Sequence, residues 1–233
     1  MLFLYNGNMS VSVSDYDYDR SLYTKEPDRR YLLLKKTADI ILSLLLICLL
    51  SPVMVLTSLV IIVFEGSSPL YFQERIGKHG KRFMIAKFRT MKKDADELDE
   101  NLSAEELDQY RKEFKIDRDP RVTKIGEFLR KSSIDELPQL FQVLSGKLSL
   151  IGPRPIVEEE LRNNYDEKET ACLLSVSPGI SGYWQVYARN DAEYYDHRRQ
   201  DMELYYVRNC SPALELKIFF RTFTSVLSAR GVH

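Results

Sequence analysis

With 233 residues, the chain can bury one sizeable core and carry appendages around it. Its 33 basic and 34 acidic residues leave a net charge of -1, so global charge points to no nucleic acid or other polyanion. Three scattered cysteines, Cys48, Cys172 and Cys210, supply neither a disulfide frame nor zinc spacing, and His79, His197 and His233 have no partner at metal-ligand spacing.

The polar, tyrosine-rich start (SVSDYDYDRSLY) has little to bury and reads as a flexible N-terminal tail over residues 1–34. From Ile40 to Phe64 the sequence carries no charge. A straight helix of that length spans about 37 Å, enough to cross a bilayer. Pro52 removes a backbone donor near the middle and predicts a bend, and Ser51 beside it is placed to satisfy a freed backbone group. The flanks are basic on both sides: Arg29, Arg30, Lys35 and Lys36 before the run, Arg75, Lys78, Lys81 and Arg82 after it. A simple span is more basic on its cytoplasmic side only. Two readings follow. One is a proline-kinked span. The other is a re-entrant helix over 35–66, broken at Ser51 and Pro52, with both ends on the cytoplasmic side, because each half is too short to cross alone.

Residues 70–93 predict short strands, with imperfect alternation at Phe83, Ile85 and Phe88 and turns at Gly77 and Gly80. Residues 94–118 are highly charged and helical in pattern, with sparse apolar positions from Leu98 to Phe114. Two apolar helical stretches surround Asp135 and Glu136 within 122–151, and one further helix is predicted over 156–175. Residues 178–189 form a Pro/Gly-led loop containing Trp184, the sole tryptophan. A charged helix over 191–207 and an apolar, partly amphipathic one over 214–227 complete an α/β fold that is mainly helical with a small sheet.

Four segments carry chemistry. In RKSSIDELPQL, Pro138 is tolerated only in a first helical turn, which puts Ser133, Ile134 or Asp135 near the N-cap. Asp135 and Glu136 then sit at the positive end of a helix dipole, where a carboxylate stays ionised and can attack phosphorus. The same residues also match a purely structural capping box, Ser133-x-x-Glu136. In IGPRP, two prolines hold Arg154 either for bidentate phosphate recognition or simply in a rigid turn. In KFR, Lys87 and Arg89 share one face of an extended stretch with Phe88 opposite, as a diphosphate or headgroup contact or as an ordinary basic strand. In PGISGYWQVYARN, Tyr183, Trp184 and Tyr187 could stack on a base or sugar and Arg189 could reach phosphate; packing on the core is the competing reading.

In order and spacing these segments resemble the bacterial sugar transferase family, the small monotopic phosphoglycosyl transferases. The resemblance runs from about Lys35 to Gly231. It rests on the lysine-flanked helix start with Asp39, the Ser51-Pro52 break, KFRTM at 87–91, DELPQL at 135–140, GPRP at 152–155, PGISGYWQV at 178–186 and YYVRN at 205–209. The family implies a re-entrant anchor over 35–66 and a cytosolic catalytic domain with interfacial helices over 67–233, at the cytoplasmic face of the bacterial inner membrane. It implies that the aspartate matching Asp135 attacks the β-phosphate of a UDP-sugar, that UMP leaves, and that polyprenyl phosphate takes the sugar phosphate. It also implies Mg²⁺ at Asp135 and Glu136, with Glu136 assisting, in the first membrane step of surface-glycan synthesis. Lys87, Arg89, Arg130, Arg154 and Arg189 become candidate substrate contacts, and a homodimer is an open option. Tyr187 and Ala188 stand where a small polar residue and glycine commonly precede the arginine, and Glu203 stands where aspartate is commoner, so contacts in that region depart from the pattern. A membrane-bound nucleotide-sugar phosphodiesterase and a non-catalytic scaffold of a glycan-assembly complex are the rival readings.

Overall fold

The computed structural model describes residues 27–95, 97, 101–113, 116, 119–188 and 197–227. Most of the predicted tail, Leu98, Phe114 and Arg189 lie outside the described residues.

Helix α1 (Arg29–Glu65) starts ahead of the anchor boundary predicted at Lys35. Asp28 caps it by accepting from the Arg30 N–H, and Gly66 ends it in the left-handed conformation at φ 59°. The predicted helix-break-helix is one continuous helix of 37 residues with Pro52 inside it. Pro52 has no N–H for the Cys48 carbonyl one turn back, and Ser51 Oγ donates to that carbonyl at 3.1 Å. The serine thereby takes the place of the missing donor, as its position predicts.

One stripe of α1 is protected along nearly its whole length. Lys35, Asp39, Ser43, Leu46, Ile47, Leu50, Met54, Thr57 and Ile61 recur at three- and four-residue spacing on that side. Both ends of the stripe are bonded or packed into the rest of the chain. Lys35 Nζ lies 2.6 Å from Glu215, and Asp39 accepts from Ser149 Oγ at 2.6 Å. At the other end Ile61 packs with Phe88 and Leu129. The remaining face leaves Leu44, Leu49, Leu56, Leu59 and Val63 exposed. An apolar surface of this extent marks contact with lipid or another apolar body, so α1 is compatible with a membrane anchor.

Strands β1 (Leu70–Ile76) and β2 (Arg82–Phe88) form an antiparallel hairpin, with Tyr71 opposite Lys87 and Arg75 opposite Phe83. Phe83 and Ile85 pack with Val143 and Leu148, whereas Phe88 points the other way onto Ile61 and Leu129. Burial on both faces explains why the apolar alternation reads as imperfect. Within the charged segment, helix α2 (Ala104–Glu113) opens on a reciprocal Ser103–Glu106 cap. Arg121 secures that region, bonded to Asp119 and to the Ala95 carbonyl with its guanidinium 5.3 Å from the centre of the Tyr110 ring.

Helices α3 (Lys124–Lys131) and α4 (Gln139–Leu144) flank the acidic pair, as predicted. The single helix predicted over 156–175 is two, α5 (Glu158–Asn164) and α6 (Glu167–Leu173). A capping box between Asp166 and Glu169 starts the second helix and separates them. Strands β3 (Ser149–Ile151) and β4 (Gly179–Ser181) pair in parallel, a second two-stranded sheet beside the predicted small one. A short α7 (Tyr183–Tyr187), then α8 (Arg198–Asn209) and α9 (Pro212–Leu227), complete the order. Leu161, Leu173, Leu204, Tyr206 and Ile218 from α5, α6, α8 and α9 join Ile151 of β3 in the main core.

Candidate active site

The acidic pair occupies a 3-10 turn, Ile134–Glu136, between α3 and α4. Ser133 turns the chain after α3 with a left-handed φ of 55°, and its side chain caps nothing. The capping box is therefore absent; the Glu136 carboxylate accepts from Lys87 Nζ at 2.9 Å instead. The pair also lies ahead of α4 rather than in its first turn, because Pro138 fills the N-cap position of that six-residue helix. So short a helix carries little dipole. What surrounds Asp135 instead is burial, at 7% exposure, with a lysine held on the adjacent residue.

Strand β2 delivers that lysine. Phe88 is drawn into the apolar cluster under α1, and alternation turns Lys87 to the opposite face, towards Glu136. The pair is partly solvated, so it contributes at most about 1 kcal/mol to stability. Its worth is geometric. Helix α3 fixes the other flank. A Cβ at Gly126 would come within 1.9 Å of the Thr90 carbonyl oxygen, so only glycine lets the helix backbone approach this close to the end of β2. Arg130, one turn further on, donates from Nε to Thr90 Oγ1 at 3.0 Å. Arg89 lies just past the end of β2 and turns to the hairpin base: its Nε donates to the Ser68 carbonyl, and its guanidinium lies 5.7 Å from the Tyr71 ring centre.

The IGPRP and PGISG segments interlock through three glycines. A Cβ at Gly152 would meet the Ser177 carbonyl oxygen at 2.6 Å, one at Gly179 would meet the Gly152 nitrogen at 2.0 Å, and one at Gly182 would meet the Gly152 oxygen at 2.3 Å. The Arg154 backbone N–H donates to Glu203 at 3.2 Å. Its guanidinium sits 5.7 Å from the centre of the Trp184 ring, against which Arg199 stacks at 4.1 Å. Trp184 is only 2% exposed, so the core reading of this residue holds over the stacking one. Tyr183 and Tyr187 stack on each other at 4.5 Å, with Arg221 over Tyr187. Arg189 lies outside the described residues.

A buried charge network underlies Arg154. Glu160 accepts from Arg199 at 2.8 Å and lies 3.7 Å from Arg75, which in turn bonds the Pro155 carbonyl. Burial, reinforced by the nearby charge of Arg154, lowers the Arg75 guanidinium to about 10. Burial pushes the Glu203 carboxyl up to about 7, against the pull of Arg199 and Arg154. The structure thus gathers Lys87, Asp135, Glu136, Arg130 and Thr90 around the end of β2, whereas the Arg154 turn meets the other end of the hairpin, where Arg75 bonds the Pro155 carbonyl. Neither Thr90, inside KFRTM, nor Arg75, on the same face of β1 as Tyr71, stands out as a site residue from sequence alone. Nothing in the sequence signals the Glu160–Arg199 pair.

For a metal, Asp135 and Glu136 offer two hard oxygen donors at adjacent positions, and the described residues contain no cluster of three or more candidate ligands. That donor set fits Mg²⁺, which keeps several waters and is held by one or two carboxylates together with substrate phosphates.

The fold and site define a small α/β domain with one long apolar helix packed onto it and a buried aspartate, Asp135, beside a half-buried Glu136 held by Lys87. The chain belongs to the bacterial sugar transferase family, whose model matches residues 30–229. It is 42% identical over 204 residues to an uncharacterized sugar transferase of Haemophilus influenzae, covering 86% of this chain and 42% of that protein. It is 36% identical over 233 residues to the undecaprenyl-phosphate galactose phosphotransferase of Salmonella typhimurium, covering 99% of this chain and 48% of that protein. To the exopolysaccharide production protein ExoY of Rhizobium meliloti it is 38% identical over 200 residues, covering 84% of this chain and 87% of the relative. The chain thus spans about half the length of the first two relatives and most of the third.

Proposed function

We propose that the protein is a phosphoglycosyl transferase that moves a sugar 1-phosphate from a UDP-sugar to polyprenyl phosphate at the cytoplasmic face of a bacterial inner membrane. The observation that carries this reading is the buried Asp135 beside Glu136, which is held by Lys87 at 2.9 Å. An Asp135 carboxylate oxygen attacks the β-phosphorus of the donor. The bond from that phosphorus to the bridging oxygen breaks, and UMP leaves with the electron pair. An oxygen of polyprenyl phosphate then attacks the same phosphorus and expels Asp135, giving a polyprenyl diphosphate sugar. Such a transfer needs alignment and charge neutralisation more than proton traffic. Lys87, Arg130 and Arg154 supply fixed positive charge, and Asp135 and Glu136 would hold Mg²⁺, whose contribution is further neutralisation of phosphate charge.

The proposed topology is re-entrant, with both ends of α1 on the cytoplasmic side. Its support is the protected stripe from Lys35 to Ile61, which keeps both ends of the helix against the same domain. Phe128, Phe141, Phe220 and Phe223 are exposed on α3, α4 and α9, as residues seated at the lipid interface would be.

The test is product analysis with polyprenyl phosphate and a panel of UDP-glucose, UDP-galactose and their N-acetyl forms. Transfer yields UMP and an organic-phase diphosphate sugar with at least one donor. A soluble sugar phosphate instead marks hydrolysis, and no UMP with any donor marks a scaffold.

A further inference from the structure

We propose that Gln142 is a positioning residue for this transfer: its side-chain amide serves as a substitute strand on β2 and sets Lys87 against the Asp135–Glu136 turn. The inference rests on the function proposed above and concerns the same site.

In an antiparallel pair, successive residues alternate between bonding to the partner strand and pointing their backbone groups away from it. The Arg89 N–H donates to the Pro69 carbonyl, and Tyr71 faces Lys87 in the same phase. Residues 83, 85, 87 and 89 therefore bond towards β1, while Met84 and Ala86 direct their N–H and C=O groups to the outer edge. Among the described residues no third strand covers that edge. Ala86 is buried, where an unmet backbone donor is costly.

Gln142 meets the need. Its Oε1 accepts from the Ala86 N–H at 3.0 Å, and its Nε2 donates to the Met84 carbonyl at 2.5 Å. One planar amide thus presents an acceptor and a donor side by side, as the N–H and C=O of one residue in a neighbouring strand would. Among side chains only those of asparagine and glutamine carry both on one planar amide; glutamate carries acceptors alone when ionised.

The placement gives the contact its role. Ala86 immediately precedes Lys87, and Gln142 sits in α4, directly after the turn holding Asp135 and Glu136. The two amide bonds therefore tie together the two elements whose side chains meet in the Lys87–Glu136 pair. The Gln142 carbonyl also accepts from the N–H groups of Lys147 and Leu148, joining the same residue to the lead-in of β3 and the Arg154 turn. A shift of α4 along β2 displaces the acidic pair from Lys87 while leaving every reacting group present.

The experiment compares wild type, Gln142→Met, Lys87→Met and the double variant. Each is the purified full chain in lipid nanodiscs, assayed with polyprenyl phosphate and the UDP-sugar most active in the panel above. A small misplacement of a catalytic group costs about 10- to 100-fold in rate, so Gln142→Met is expected to lower kcat by that amount with KM changed less than about threefold. In the Lys87→Met background the same substitution is expected to lower kcat less than about threefold, because the contact it positions is already gone. Equal losses in both backgrounds, a change confined to KM, or full activity in Gln142→Met would overturn the proposal. Should Gln142→Met fail to fold, Gln142→Glu carries the same comparison, since it keeps the size and the Ala86 contact but loses the Met84 donor. Wild type lacking UMP release with every donor would refute the transferase reading itself, which is a separate outcome.

Discussion

The interlock of the two glycine-bearing segments yields a sharp prediction. In Gly179→Ala the new methyl would lie 2.0 Å from the Gly152 nitrogen and 2.6 Å from both the Gly152 Cα and the Ser181 oxygen. All three neighbours are backbone, and the two Gly152 atoms lie across from β4, so the segments must separate there by more than an ångström to reach ordinary contact. Besides the β3–β4 ladder itself, three hydrogen bonds cross that gap: Gly179 N–H to the Pro153 carbonyl, Gly152 N–H to the Ser181 carbonyl and Ser149 N–H to the Pro178 carbonyl. At about 1 kcal/mol net for each, losing them costs roughly 3 kcal/mol before any overpacking strain. For a chain of this size that is a drop of about 6–12 °C in melting temperature. Gly146→Ala is the control. It has open space around a Cβ and only a positive φ of 74°, so its cost is about 1 kcal/mol, from backbone conformation alone. Trp184 is the sole tryptophan and lies just after β4, so its fluorescence during heating reports this region directly. Melting of Gly179→Ala within 2–3 °C of wild type, at or above the Gly146→Ala value, would refute the interlock.

Two further predictions concern charge and topology. The Glu203 carboxyl is raised to about 7 in the folded protein from an ordinary 4.5, so the folded state binds the extra proton between those values. Stability is then greatest below pH 4.5 as far as this group is concerned and falls as pH rises through 7; Glu203→Gln should flatten the decline in melting temperature between pH 5 and 8, and an unchanged slope would assign the dependence elsewhere. For the anchor, Pro52→Ala restores the donor to the Cys48 carbonyl and favours a straight helix, so a cysteine introduced at the N-terminal end should become accessible to a membrane-impermeant reagent from outside intact cells. Exclusively cytoplasmic labelling in that variant would show that the proline does not set the topology.

Sequence patterning reveals most of the element order, because apolar spacing and punctuation by glycine and proline are local. The hairpin, α3, α4 and α9 all fall where periodicity predicts them. The split between α5 and α6 is missed because Asp166 and Glu169 form a cap inside a segment that otherwise reads as one helix. A central Pro52 fits a kinked span and a broken helix equally in sequence; that α1 stays continuous goes with the packing of its Lys35–Ile61 stripe, which is tertiary. At the site, Asp135, Glu136 and Lys87 are visible as motif residues, but the bond between Glu136 and Lys87 is a long-range fact that no local rule supplies. Local rules favour the capping box instead, and tertiary contact overrides them. The strand-like use of Gln142 has no signal in its own segment, since the groups it satisfies belong to β2.

In the proposed transfer Asp135 forms a covalent bond to the sugar phosphate. The most direct measurement is intact-protein mass after brief incubation with the active UDP-sugar and no polyprenyl phosphate. The wild-type chain is predicted to gain the mass of one sugar phosphate as UMP appears, the adduct is predicted to map to the peptide containing Asp135, and both signals are predicted to vanish in Asp135→Asn. UMP release without an adduct, or an adduct that persists in Asp135→Asn, would contradict the account.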